Sequence, residues 1–275
     1  MLPLQKPTLW NINPGILEYN CRKYGMPVPV VAMPMWEGAG GIVYDFSGCN
    51  NHSSINGADW VANGLLFDSA DTGDYIDLGN ASILNFINNY TISFRINPTD
   101  DWNSDSSDSS IVDSGLHGGV GQPLYHSLLK IDADNTDQLQ YVTRNAGATK
   151  VVNCSKSNWD ANTWYDIVIV HDSSNNIKWY INGTIDNTVA FFPLDTTNYG
   201  GYHIGKRSTG AFDYYNGIVN SVAFYNMQLS STQVKFLHDD PYFMFRVPDE
   251  LYGYAAAAGV SIPVLIHQMQ QQGIL

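Results

Sequence analysis

Apolar and polar positions alternate along this chain in short runs. The clearest case is Trp164 to Thr184, WYDIVIVHDSSNNIKWYINGT. Ile167, Val168, Ile169 and Val170 form a β-branched run too short for an ordinary helix, and such a run suits a strand buried on both faces. Asp172-Ser173-Ser174-Asn175-Asn176 is a string of turn formers of hairpin-loop length. On the return, Ile177, Trp179 and Ile181 point one way while Lys178, Tyr180 and Asn182 point the other. Asn182-Gly183 supplies a second turn. An inner strand beside a half-covered partner needs another layer packed over it, so the pattern predicts a β-sandwich.

The same short-strand rhythm covers most of the chain. Extended segments are predicted at Val28–Trp36, Ile42–Tyr44, Trp60–Phe67, Tyr75–Leu78, Thr91–Asn97, His126–Ile131, Gln138–Thr143, Lys150–Asn153, Tyr202–Gly205 and Asn216–Tyr225. In the last of these, Ile218, Asn220, Val222 and Phe224 fall on one face and Val219, Ser221, Ala223 and Tyr225 on the other. Leu229 to Gln233 opens a short helix, with Ser230 and Gln233 spaced as a capping box and Asp239-Asp240-Pro241 ending it. The two ends break the rhythm. Residues 1–27 carry Pro3, Pro7, Pro14 and Pro27 and are expected to form an extended docking arm with a turn at Asn13-Pro14-Gly15. Residues 242–275 contain Ala255–Ala258 and a Gln-rich end with no sandwich pattern. The chain thus divides into an arm (1–27), a sandwich (28–241) and a tail (242–275). Both ends are too apolar to stay in water, so they dock on neighbouring copies, on another protein, or back on their own sandwich.

Composition narrows the function. Of 275 residues, 44% are apolar, enough for a sizeable core, but only 14% are charged, and the net charge is −13. Sequence-independent nucleic-acid binding runs on Lys and Arg, so no nucleic-acid partner is expected. An anionic membrane surface is disfavoured for the same reason, and no apolar run approaches the length of a membrane span. The N-terminus lacks the basic-then-apolar pattern of a signal peptide. Cys21, Cys49 and Cys154 are odd in number and scattered, giving neither a disulfide framework nor a zinc spacing. Free thiols are expected, with a single bridge left open.

Several motifs then line up in order: Trp36-Glu37-Gly38-Ala39-Gly40, Asp45-Phe46-Ser47-Gly48, Tyr75-Ile76, Thr91-Ile92-Ser93-Phe94, Trp164 with Trp179-Tyr180-Ile181-Asn182-Gly183, Ile204-Gly205, and Gly217-Ile218-Val219 through Leu229-Ser230. Over residues 30 to 240 this set resembles the concanavalin A-like lectin/glucanase superfamily in its laminin G-like branch. The resemblance implies an all-β, two-sheet antiparallel jelly-roll sandwich with the arm and tail appended. The arm and Asp240–Phe245 also resemble phage-encoded members, which implies a virion protein assembled in the host cytoplasm. Its partners would then be other virion proteins or copies of itself, and a host-surface glycan. A lectin module of a bacterial cell surface or extracellular protein is the alternative.

Glycoside hydrolysis needs two flanking carboxyl groups. The chain has three Glu, at 18, 37 and 250, and none of them shares a strand motif, so no enzyme activity is expected. The resemblance brings calcium into view, with Asp45, Asn50 and Asn220 as oxygen ligands. Asn220 stands where many relatives carry Asp, and Asp45 reads equally as a turn residue accepting backbone N–H groups. For sugar contact, exposed aromatic faces near amides point to Trp102, Tyr199, Tyr202, Tyr214 and Tyr215, with core packing as the competing role. His171 and His203 read as structural.

Overall fold

The computed structural model describes residues 14–68, 73–79, 89–99, 109–114, 126–130, 137–145, 148–190, 202–207 and 214–248. Two eight-stranded antiparallel sheets pack as a jelly-roll sandwich. Sheet I runs β14 (Thr184–Ala190), β13 (Asn176–Ile181), β12 (Tyr165–His171), β7 (Tyr90–Pro98), β16 (Gly217–Tyr225), β5 (Gly64–Phe67) and β4 (Asp59–Val61), with β1 (Val31–Met33) also beside β16. Sheet II runs β11 (Ala148–Asn153), β10 (Leu139–Asn145), β9 (His126–Lys130), β8 (Ser109–Ser114), β15 (Tyr202–Ile204), β6 (Tyr75–Gly79), β3 (Ser53–Asn56) and β2 (Ile42–Val43).

The central hairpin forms as its turn residues dictate. Ile167 pairs with Ile181, Ile169 with Trp179 and His171 with Ile177. Asn182 and Gly183 both have positive φ, 50° and 74°, and reverse the chain into β14. Every residue of β12 is buried. Ile167 and Ile169 enter the sandwich core together with Ile92, Phe94, Ile96, Trp179 and Phe224. Sheet II supplies Ile76, Leu78, Tyr141, Tyr202 and Ile204 to the same core. The buried hydroxyls of Tyr90 and Tyr141 share a hydrogen bond of 2.7 Å between the sheets, so neither is left unsatisfied.

In β16 a bulge between Val219 and Ser221 resets the alternation. Val219, Val222 and Phe224 therefore enter the core, and Ile218 stays half-buried on the other side. The expected grouping of Ile218 with Val222 fails because Asn220 is the extra residue. The bulged backbone also crowds Gly64 (φ 141°), where a Cβ would lie 2.2 Å from the Val219 carbonyl oxygen. Only glycine fits there.

The outer face of sheet I is covered. Val168, Val170, Tyr180, Ala223 and Tyr225 project from it into a second apolar cluster. Over them lie α1 (Pro14–Lys23), α2 (Ser231–Asp239) and a 3-10 turn (Phe243–Phe245). The helix α1 replaces the extended arm expected for these residues. Pro14 occupies its first position, where its fixed φ is favourable. Met26 N–H donates to Cys21 O and Gly25 N–H to Arg22 O, a Schellman ending with Gly25 at φ 66°. The helix α2 starts with the expected capping box, Ser230 and Gln233 bonding reciprocally. Trp36 packs edge-on to Tyr242 and Phe245 at 4.7 and 5.3 Å. The Asn20 amide donates to the carbonyls of Met244 and Arg246, at 3.3 and 2.7 Å. Residues 14–27 and 242–248 thus fold back on their own sandwich; residues 1–13 and 249–275 lie outside the described residues.

The three thiols are free. Burial pushes Cys21 and Cys154 up to about 12, which makes them inert; Cys49 is exposed.

Candidate ligand-binding face

The residues singled out from sequence are not brought together. Trp102 and Tyr199 lie outside the described residues. Tyr202 points into the core towards Phe224, with ring centroids 6.3 Å apart. Tyr215 is fully buried; its hydroxyl donates to Ile218 O, and burial pushes its pKa up. Tyr214 is half-buried and forms a parallel bridge with Ser110. Strand alternation explains Tyr202: it shares the inward side of β15 with Ile204, so His203 is the residue that points out.

The Asp45 carboxylate is an acceptor hub for its own loop. Oδ1 accepts from the N–H groups of Ala32 and Ser47, and Oδ2 from Ser47 Oγ, Asn51 N–H and the Asn51 amide, all at 2.8–3.0 Å. Five donors fill a group with about four lone-pair sites, so these oxygens do not fit a calcium ligand set. Asn50 is exposed at φ 58°. Asn220 is buried; its amide donates to Asn63 O and its oxygen accepts from Tyr242 Oη. Among the described residues no group of three or more His, Cys, Asp or Glu is placed to hold a metal.

Beneath the cap on sheet I lies a buried charge cluster. Arg95 donates to both oxygens of Asp166, its cross-strand neighbour, at 2.8 and 2.7 Å. His238 of α2 places Nδ1 2.5 Å from Asp166 Oδ2. The Asn182-Gly183 turn presses against this histidine: a Cβ on Gly183 would come within 2.9 Å of the His238 Cβ. The adjoining cavity, about 20 Å³, is lined by Ser93, Arg95, Asp166, Ser221 and His238 among others. It has room for roughly one water molecule, so this cluster anchors the cap and has no space for a sugar.

The outer face of sheet II differs. Register sets Asp77 of β6 opposite His203 of β15, and His203 opposite Asp113 of β8. Directly opposed residues share a face, so three titratable groups form one row across three strands. Ser54 of β3 extends the row beyond Asp77. Asp113 is buried, whereas the Asp77 side chain is 45% exposed and that of His203 17%. Tyr75 flanks the row, with its ring edge-on to His203 at 5.3 Å and the Lys206 ammonium over its face at 3.3 Å. Burial, aided by Lys206, lowers the His203 pKa from its usual value, with Asp77 and Asp113 opposing. Burial lowers that of Lys206 as well. No described helix packs on this side. The arrangement offers an aromatic edge, a half-exposed carboxylate and an imidazole, the groups that hold hydroxyl-bearing ligands. Sequence reading passed over it because its members come from three strands. The available signal was local: in YIDLG and YHI the polar residue sits between inward-facing apolar ones.

No curated protein matches the chain in sequence. Among solved structures, the receptor-binding domain of botulinum neurotoxin C/D mosaic serotype superposes with a TM-score of 0.60 at 16% identity, over 77% of this chain and 51% of that one. The botulinum neurotoxin serotype D binding domain gives 0.60 at 15% identity, over 77% and 51%. The botulinum neurotoxin DC binding domain, solved with rat synaptotagmin II, gives 0.57 at 16%, over 78% and 51%. The chain spans about half the length of these structures, and at such identity the likeness is one of fold. In sequence, residues 70–235, more than half of the chain, match a laminin G family model, so the chain belongs to the concanavalin A-like lectin/glucanases superfamily.

Proposed function

We propose that this chain is a non-catalytic recognition protein that binds a host-surface glycan through the outer face of sheet II, as a structural or attachment subunit of a phage virion. The observation that carries the binding reading is the Tyr75–Asp77–His203 group, with its half-exposed Asp77 carboxylate, on the one outer face that no described helix covers. Family membership supports it, as does a fold shared with receptor-binding domains of botulinum neurotoxins. The non-catalytic reading draws on the glutamates. Glu18 pairs with Arg22 on α1, while Glu37 accepts from Tyr44 N–H in a loop, its pKa raised by burial; each is held by a local partner. The virion reading rests on the phage-like arm and Asp240–Phe245 segment, with residues 1–13 and 249–275 as links to other subunits. A lectin module of a bacterial surface protein remains the second reading, since it uses the same face.

Binding of the full chain to an oligosaccharide panel, lost on Tyr75→Ala with the melting temperature unchanged, is the expected result. Reducing-sugar release that disappears in Asp77→Asn would overturn the non-catalytic part. Co-sedimentation of the tagged chain with particles separates the virion reading from the lectin module.

A further inference from the structure

We infer that the outer face of sheet II reads a linear oligosaccharide of several units rather than a single terminal sugar, through a second contact set, Tyr44, His52 and Ser54, beside Asp77. The inference rests on the glycan-binding reading above. Register carries the row of Asp77 and His203 out to the sheet edge: Ser54 of β3 lies opposite Asp77, and Ile42 of β2 opposite Ser54. Val43 and Ser53 are buried, so alternation sends Tyr44 and His52 outward, to the same side as Ile42 and Ser54. Their two rings meet edge-on at 5.1 Å. On the other flank of the row, Tyr75 lies opposite Asn56. Tyr44, His52, Ser54 and Asp77 are all exposed, so a ligand can touch each of them. From Tyr44 to Tyr75 the surface crosses two strand spacings and runs four residues along them, a diagonal of about 16 Å. One sugar ring cannot touch both ends of it, whereas several rings laid end to end can.

The two ends of this path differ in chemistry. The Lys206 ammonium sits 3.3 Å over the Tyr75 ring, whereas the Tyr44 side chain, 44% exposed, carries no cation among the described residues. Tyr44 is therefore the ring on which a sugar stacks, and Tyr75 flanks the polar contacts. His52 Nδ1 accepts from the Asp45 N–H at 3.0 Å. In the neutral ring the proton then sits on Nε2, which makes this exposed histidine a hydrogen-bond donor. Asp77 Oδ1 accepts from Gly79 N–H at 2.7 Å, while Oδ2 has no donor among the described residues. A donor and an acceptor thus flank the Ser54 hydroxyl, and sugar hydroxyls, each both donor and acceptor, match that order. The new contacts are held from the backbone. Tyr44 N–H donates to Glu37 Oε1 at 2.8 Å, and Asp45, whose N–H holds His52, is itself fixed by five donors. Little freedom remains to be lost on binding. The Glu37 contact also takes a β2 edge N–H, which argues against an added protein strand as the occupant.

The test is titration calorimetry on the full chain with cellobiose, cellohexaose, chitobiose and chitohexaose. The probes are uncharged because Asp77 and a net charge of −13 disfavour acidic ones. A hexaose binds about tenfold or more tighter than its biose, the gain expected of one stacked ring and one hydrogen bond. Tyr44→Ala removes that gain. So does Ser54→Arg, whose long side chain fills the path from an exposed position and keeps the test open should Tyr44→Ala fail to fold; circular dichroism checks both variants. Equal binding of biose and hexaose overturns the inference and leaves the glycan-binding reading standing. A gain that both variants leave in place comes only from the extra registers along a longer chain, and overturns it too. Binding of no probe removes the glycan reading itself, and the inference with it.

Discussion

Sheet I and sheet II have eight described strands each, yet their outer faces carry different chemistry. On sheet I the outward residues of β12 and β16 are Val168, Val170, Ala223 and Tyr225, apolar groups that must be covered. The chain covers them with its own ends and then pins the cover through Asp166. On sheet II the outward residues of β6 and β15 are Tyr75, Asp77 and His203, which water tolerates. A sheet face rich in apolar groups becomes core; a face that stays polar is left for something outside the chain. The difference predicts that substitutions on the two sides act on different quantities.

The largest effect on stability should come from the cap. Phe245→Ala removes a side chain that is 2% exposed, and we expect a loss of about 3–5 kcal/mol in urea denaturation. A loss below about 1 kcal/mol would mean that the cap unfolds separately from the sandwich. Next is Asp166→Ala, which strands Arg95 and His238. The expected loss is about 2–3 kcal/mol, less than for a fully enclosed pair because 20% of the Arg95 side chain and 33% of His238 stay in water. Ser230→Ala, which deletes one half of the capping box, should cost about 1 kcal/mol, read from the same curves. Smallest is Tyr75→Ala on sheet II, at under about 0.5 kcal/mol of stability. Sugar binding measured on that variant should nevertheless vanish. A Tyr75→Ala protein as unstable as the Phe245→Ala one would erase the distinction between the faces.

What the sequence made legible follows from range. The β12–β13–β14 meander was readable because Asp172–Asn176 and Asn182-Gly183 fix turns within a few residues. The capping box of α2 was readable for the same reason. The helix α1 was missed although Ile16, Leu17, Asn20 and Cys21 mark a helical stripe, because four prolines in the first 27 residues argued for extended chain; one of them sits where a helix accepts it. The inward turn of Val219 depends on a bulge that no local rule announces. The Asp77–His203–Asp113 row was invisible for a stronger reason: its register joins strands from distant parts of the chain. Of the aromatic candidates near amides, Tyr202 is turned inward by strand parity, and Tyr215, ahead of β16, is buried against Phe67.

The Asn20 amide has a consequence for the order in which the molecule is made. It bonds to Met244 and Arg246, 224 and 226 residues further along. On a ribosome adding about 5–20 residues per second, those partners arrive roughly 10–45 s after α1 has been synthesised. During that interval Ile16, Leu17 and Cys21 have no 3-10 turn to meet, and the outer face of sheet I lacks its cover. The cap therefore closes only after every strand of sheet I has been made, and a chaperone that holds apolar segments has its binding window at α1.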